Sequence, residues 1–207
     1  MIAFDSESDG NRDIFVMMPD GSSMTNLTNH GANDFDPVWS PDGSAIVFAS
    51  TRDAGHFDLW RLPLAEGRAA GSPSQLTSGV GHEVTPTVAP DGTVIYAAVT
   101  QTGETEVESR LEERRPDGSI HLVTEGPADT SPALSPDGAT LAFSRPLVQA
   151  GAPSAEVWTM PRERSDAPAA ATPVTALPLT EESGPVWSRD GRFLFATSLL
   201  RGEAGVL

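Results

Sequence analysis

Three observations in the amino-acid sequence predict an all-β fold made of repeated four-stranded units. First, the segment DPVWSPDGSAIVFAS, Asp36 to Ser50, recurs as TPTVAPDGTVIYAAV (Thr85 to Val99), SPALSPDGATLAFSR (Ser131 to Arg145) and GPVWSRDGRFLFATS (Gly184 to Ser198). The leading prolines, Pro37, Pro86, Pro132 and Pro185, stand 49, 46 and 53 residues apart, and a period of that length sets the architecture of the whole chain. Second, each copy carries a turn signal at the same place. Third, the residues after the turn are apolar in succession, and no copy shows a 3.6-residue period, which excludes helical repeats.

Within one unit the elements follow in order. In Ser40-Pro41-Asp42-Gly43 the proline presets φ for the first central position of a type I turn, Asp suits the second, and Gly accepts the left-handed conformation. The turn joins a strand a (Val38, Trp39) to a strand b (Ile46, Val47, Phe48). Strand b is apolar on consecutive residues, as in Val94-Ile95-Tyr96 and Phe193-Leu194-Phe195, so both of its faces should be covered. Strand c is marked by an acid, an aliphatic and an aromatic: Asp13-Ile14-Phe15, Asp58-Leu59-Trp60 and Glu156-Val157-Trp158. Strand d ends in Leu27-Thr28, Leu76-Thr77, Val123-Thr124 or Leu179-Thr180, after c to d turns at Pro19-Asp20-Gly21 and Pro116-Asp117-Gly118. Small sheets covered on both sides stack radially as the blades of a β-propeller, which leaves only short, protected edges.

The turn segment resembles the W-S-P-D-G-x-x-I-A-F hallmark of the PD40, TolB-like (WD40-like) propeller repeat, and DGNRDIFVMMPDGSSMTNLT (Asp9 to Thr28) resembles its strands c and d. The resemblance covers nearly the whole chain. It implies a noncatalytic module that binds a protein or peptide in the periplasm or outside the cell. The same repeat occurs in prolyl-oligopeptidase-like propellers and in propeller polysaccharide lyases, which are the alternative readings. Departures are Arg189 in place of the turn proline, Val88 and Leu134 in place of Trp, and a third strand c, SRLEERRPDG, expected to be too charged to be well buried.

The repeats divide the chain, read as one domain over 1–207, into about 1–35 (partial), 36–84, 85–130, 131–183 and 184–207 (partial). Three complete blades therefore lie between partial ones. Either the C-terminal strand a closes the ring against the N-terminal b, c and d, or, as the count favours, the propeller is larger, with six or seven blades. An open blade edge would invite self-association.

Acidic residues number 29 against 13 basic ones, all arginine, giving a net charge of −16. That excludes nucleic acid, whose phosphates need a basic stripe, and favours a basic partner. No run of 18 apolar residues is present, so membrane insertion by a helix is not expected, nor is a secretion signal visible. Cysteine is absent.

Chemistry-bearing motifs are few. DSESDG (Asp5 to Gly10) mimics the start of a calcium loop, but Val16 stands at its twelfth position and the repeat assigns Asp9-Gly10-Asn11 to a b to c turn. There is no G-x-S-x-G elbow, and His30, His56, His82 and His121 lack metal-ligand spacing, so neither enzyme activity, cofactor nor metal is expected. The d to a loops remain: NHGANDFD, SGVGHEVT, EGPADTS and EESG. Because strand a is innermost, Asp34, Asp36, His82, Glu83, Asp129, Glu181 and Glu182 are expected at one mouth of the channel, as the binding site.

Overall fold

The computed structural model describes the chain except residues 9, 54, 104–105, 127, 150–151, 163–169, 175–179, 201–202 and 207. All its regular elements are β, and none of the described residues is helical. Blade I holds β1 (Ile2–Ser8), β2 (Asn11–Met17) and β3 (Thr25–Asn26). Blade II holds β4 (Asp34–Trp39), β5 (Ala45–Ser50), β6 (Asp58–Ala65), the short β7 (Arg68–Ala69) and β8 (Ser74–Gln75). Blade III holds β9 (His82–Val88), β10 (Val94–Gln101), β11 (Val107–Arg114) and β12 (Ile120–Leu122). Blade IV holds β13 (Thr130–Leu134), β14 (Thr140–Gln149), β15 (Ala152–Pro161) and β16 (Thr172–Pro173). Blade V holds β17 (Thr180–Trp187), β18 (Leu194–Leu200) and β19 (Glu203–Val206). Neighbouring strands within each blade run antiparallel.

The a to b turn forms as its residues require. Gly43 has φ 70°, its N–H donates to the Ser40 carbonyl at 2.8 Å, and the Ser40 N–H donates to Ala45 at 2.9 Å. Asp42 accepts from the Ser40 hydroxyl at 2.6 Å and from the Ser44 N–H at 3.0 Å. In blade III the hairpin is one residue tighter, with the Ala89 N–H donating to Thr93 rather than to the residue after it. The ladder consequently sets Val94 against Val88, where blade II sets Ile46 against Trp39.

Strand b is covered on both faces in blades II, III and IV, but not in blade V, where Phe193 and Phe195 are exposed against expectation, because no further described blade packs on that side. Every residue of β5 is buried. Ile46 and Phe48 pack with Ile14 and Val16 of blade I, whereas Val47 and Ala49 pack with Val94 and Tyr96 of blade III. Ile95 and Ala97 in turn pack with Leu141 and Phe143 of blade IV. Apolar burial at three successive blade junctions, at roughly 25 cal/mol per Å² of apolar surface, drives the radial stack.

Two further expectations need correction. Trp39, Trp187 and Leu194, which the repeat places on blade-facing strands and so predicts to be largely buried, are half-buried: Trp39 sits at the margin of the blade I and II core, Trp187 borders the channel cavity, and Leu194 lies in strand b of the outermost blade V. The charged third strand c is buried on alternate residues: Ser109, Leu111 and Glu113 point inward, and Glu113 is paired with Arg115 at 2.8 Å. A period of two lets a charged strand bury one face. Among the described residues β17 pairs with β18 and, through one parallel bridge, with β15, while β1 pairs with β2, so no pairing between β17 and β1 closes a ring.

Candidate functional site

Strands β4, β9, β13 and β17 are neighbours around the channel. Each carries a bulge, where pairing with strand b slips around the leading proline. The residue before that proline is left-handed every time: Asp36 (φ 52°), Thr85 (49°), Ser131 (51°) and Gly184 (63°). This conformation is rare for residues with a Cβ, and its recurrence makes it part of the strand a design. It projects Asp36 from the inner strand into solvent, where its carboxylate accepts the Thr85 N–H of the next blade at 3.1 Å. Neighbouring protein still displaces part of its water shell. The resulting loss of water raises its pKa, opposed by the Thr85 bond and assisted by the Asp5 charge.

The acids three residues before each proline lie deeper. Asp34 is fully buried and takes both its bonds from Arg52 Nη2, at 3.0 and 2.9 Å. Asp129 is equally buried against Arg145, Nε to Oδ1 and Nη2 to Oδ2 both at 2.7 Å. Each guanidinium also lies over two rings: Arg52 is 5.1 Å from Phe48 and 5.0 Å from Trp60, and Arg145 is 5.1 Å from Phe143 and 4.8 Å from Trp158. Desolvated cation–π contacts of this kind contribute up to about 2 kcal/mol. Sequence reasoning found the acids of these two devices and missed their arginines, which stand at different distances from the turn.

Among the described residues no arginine pairs with Glu83, which is 6% exposed. Burial, then the hydrogen bond to the Asp58 carboxyl and its charge, push its pKa up to about 7, against donors from Thr77 and the Gly79 N–H. His82 is exposed, and its Nδ1 accepts the Phe57 N–H at 3.1 Å. For Glu181 and Glu182 only the backbone, in β17, is described; their side chains lie outside the described residues.

Below the bulges, toward the a to b turns, a cavity of about 350 Å³ opens among Val38, Pro86, Pro132, Leu134, Val186 and Trp187. The Trp187 Nε1–H donates to the Ala133 carbonyl at 3.1 Å, fixing the indole on this wall. A second cavity, about 510 Å³, lies between Thr100 and Arg110 of blade III and the loop at Thr124 to Ala128. Neither cavity is visible in the repeat pattern. Among the described residues no three His, Asp or Glu side chains converge as metal ligands. Asp5 sits within β1, bonded to Arg12 at 3.0 Å, so the Asp5 to Ser8 stretch is strand rather than calcium loop, and Asp9 lies outside the described residues.

Antiparallel blades stacked around inner strands that line a channel define a β-propeller. The chain belongs to the PD40 family, the TolB beta propeller domain, whose model matches residues 1–160. It is 29% identical over 106 residues to the Tol-Pal system protein TolB of Desulfosudis oleivorans, covering 51% of this chain and 23% of that protein. In structure it is similar to TolB from Acinetobacter baumannii, with TM-score 0.76 and 16% identity over 99% of this chain and 48% of that one. A puromycin hydrolase shares the fold at TM-score 0.64 and 18% identity, over 95% of this chain and 33% of that one. The chain thus spans less than half the length of each of these three proteins.

Proposed function

We propose that residues 1–207 act as one noncatalytic binding domain whose channel mouth takes a basic protein or peptide segment, in the periplasm or outside the cell. The observation that carries this reading is Asp36. Its carboxylate is solvent-accessible on the inner strand, anchored by the next blade, and part of a chain of net charge −16. Low-dielectric walls strengthen the field of such a group toward an approaching cation. Asp34, Glu83 and Asp129 are buried, so their part is to hold the mouth in shape, while Asp36 and His82 are placed to touch a partner. Glu181 and Glu182 complete the proposed rim. The relatives' membership of the Tol-Pal system supports a protein partner, and self-association through an open blade face belongs to the same proposal: Val186, Phe193 and Phe195 are exposed on blade V.

The test uses a fluorescein-labelled arginine-rich dodecapeptide, with binding to the parent, Asp36→Asn and Glu66→Gln read by anisotropy from about 0.05 to 0.5 M salt. Weaker binding and a shallower salt slope for Asp36→Asn alone support the mouth. Equal losses for both variants would reduce the attraction to net charge and refute the site.

A further inference from the structure

Blade III departs from its neighbours at the place where blades II and IV are alike. The ladders put Glu83, Thr100, Tyr96 and Glu112 of blade III where blade II has Asp34, Arg52, Phe48 and Trp60. Blade IV builds the same device from Asp129, Phe143 and Trp158, with Arg145 two residues earlier along strand b, where blade II has Ser50 and blade III has Ala98. Blade III therefore keeps the buried acid and loses the cation. Its Tyr96 hydroxyl bonds Glu112 at 3.1 Å, and Arg110 pairs with Glu112 at 2.9 Å rather than with Glu83.

Glu83 turns instead to blade II at Asp58: its N–H bonds the carbonyl of Phe57, the residue before Asp58, and the Thr77 hydroxyl that it accepts also takes the N–H of Leu59, the residue after it. Asp58 is 1% exposed, and its Oδ2 accepts from Gln75 at 3.1 Å. Its Oδ1 is buried without a hydrogen-bond donor; the His56 Nε2 lies 3.8 Å away. Glu83 Oε2 takes the Thr77 hydroxyl at 3.2 Å. Among the described residues, the ionisable groups near Glu83 also include Tyr96 on β10, with its partner Glu112 on β11 and Arg114, and His82 beside it on β9. A buried carboxylate oxygen with no donor, facing a second carboxyl, lacks one thing: a proton between them.

We propose that Glu83 and Asp58 form a proton-operated clasp between blades II and III, closed by a shared proton in mild acid and sprung by carboxylate repulsion in alkaline solution. The clasp sits where the chain leaves blade II. The Glu83 N–H donates to the Phe57 carbonyl at 2.7 Å, and the Phe57 N–H to His82, so springing it frees the loop from Ser78 to His82. The inference does not depend on the binding role proposed above.

Two variants and one direct reading test it, all on the full chain. Glu83→Gln keeps a donor for Asp58 without a charge. Thr100→Arg places a guanidinium where blade II has Arg52, and Thr100 lines the 510 Å³ cavity, which leaves room for it. Between pH 5 and pH 8 at constant ionic strength, the melting temperature of the parent should fall further than that of either variant, by on the order of 5 °C. In the parent, the Glu83 carboxyl carbon followed by NMR should titrate well above the other glutamates. Titration of Glu83 with the other glutamates overturns the clasp. So does a Glu83→Gln protein that loses as much stability as the parent; should that variant not fold, the NMR titration of the parent decides.

Discussion

Arg145 lies side-on against Asp129, with two parallel bonds of 2.7 Å, and caps the rings of Phe143 and Trp158 from above. The carboxylate is fully buried and the guanidinium nearly so, at 19% side-chain exposure. Removing one partner of such a pair leaves an uncompensated charge, a loss of about 3 to 5 kcal/mol. Asp129→Asn should therefore lower the urea midpoint sharply, and Asp34→Asn likewise, whereas Glu125→Gln on the surface should stay within about 0.5 kcal/mol. Similar midpoints for all three would show that the arginines contribute nothing net.

Truncation should rank the rings by where they sit. Phe48 is 0% exposed between blades I and II, so Phe48→Ala should destabilise by about 3 to 5 kcal/mol. Trp39 is larger but only half-buried, at the margin of the same cluster. Trp39→Ala should then lose less than Phe48→Ala despite removing more atoms, and equilibrium denaturation of the two proteins would reveal the reverse order if strand a carried the core.

The left-handed residue before each proline makes a backbone prediction. Gly184 adopts φ 63° without a Cβ, and no neighbouring atom would touch one. Gly184→Val therefore meets only conformational strain, about 1 to 2 kcal/mol. Thr85 already bears that strain at φ 49°, so Thr85→Gly should be close to neutral, its relief offset by the greater entropy of glycine in the unfolded chain. Thermal melts of both variants check the pair.

The period of the leading prolines, the Pro-Asp-Gly turns and the consecutive apolar residues of strand b made the blades legible, because hairpin geometry and two-sided burial are local demands on residue type. The acids of the d to a loops were legible as residues but not as an arrangement. Asp34 and Asp129 find arginines across the strand pair, at 18 and 16 residues' separation, and no local pattern announces which loop acid is buried. Asp36 looked like one more loop acid, yet its exposure follows from a bulge that the sequence marks only by the proline after it. SRLEERRPDG misled by composition, since its charges alternate with the buried Ser109, Leu111 and Glu113.

Stability should peak in mild acid, because two sets of carboxyls pull in opposite directions. The turn aspartates Asp20, Asp42, Asp117, Asp137 and Asp190 each accept from a serine hydroxyl, and this bond first, with a backbone N–H second, holds their pKa down, for Asp42 to about 2. A depressed folded-state pKa gives stability that is present above the ordinary aspartate value and lost as pH falls toward 2. Glu83 has the reverse sign. Its folded pKa is raised, from an ordinary 4.5 to about 7, so the folded protein holds a proton that the unfolded chain has released, and stability falls as pH rises between those values. Melting temperatures measured from pH 2 to pH 9 should climb to a maximum near the ordinary carboxylate range and decline toward neutrality. Ser40→Ala should steepen the acid limb by freeing Asp42 to protonate earlier and leave the neutral limb unchanged, while Glu83→Gln should flatten the neutral limb alone. A single limb that responds to both substitutions would mean that net charge, rather than these two local arrangements, governs the pH dependence.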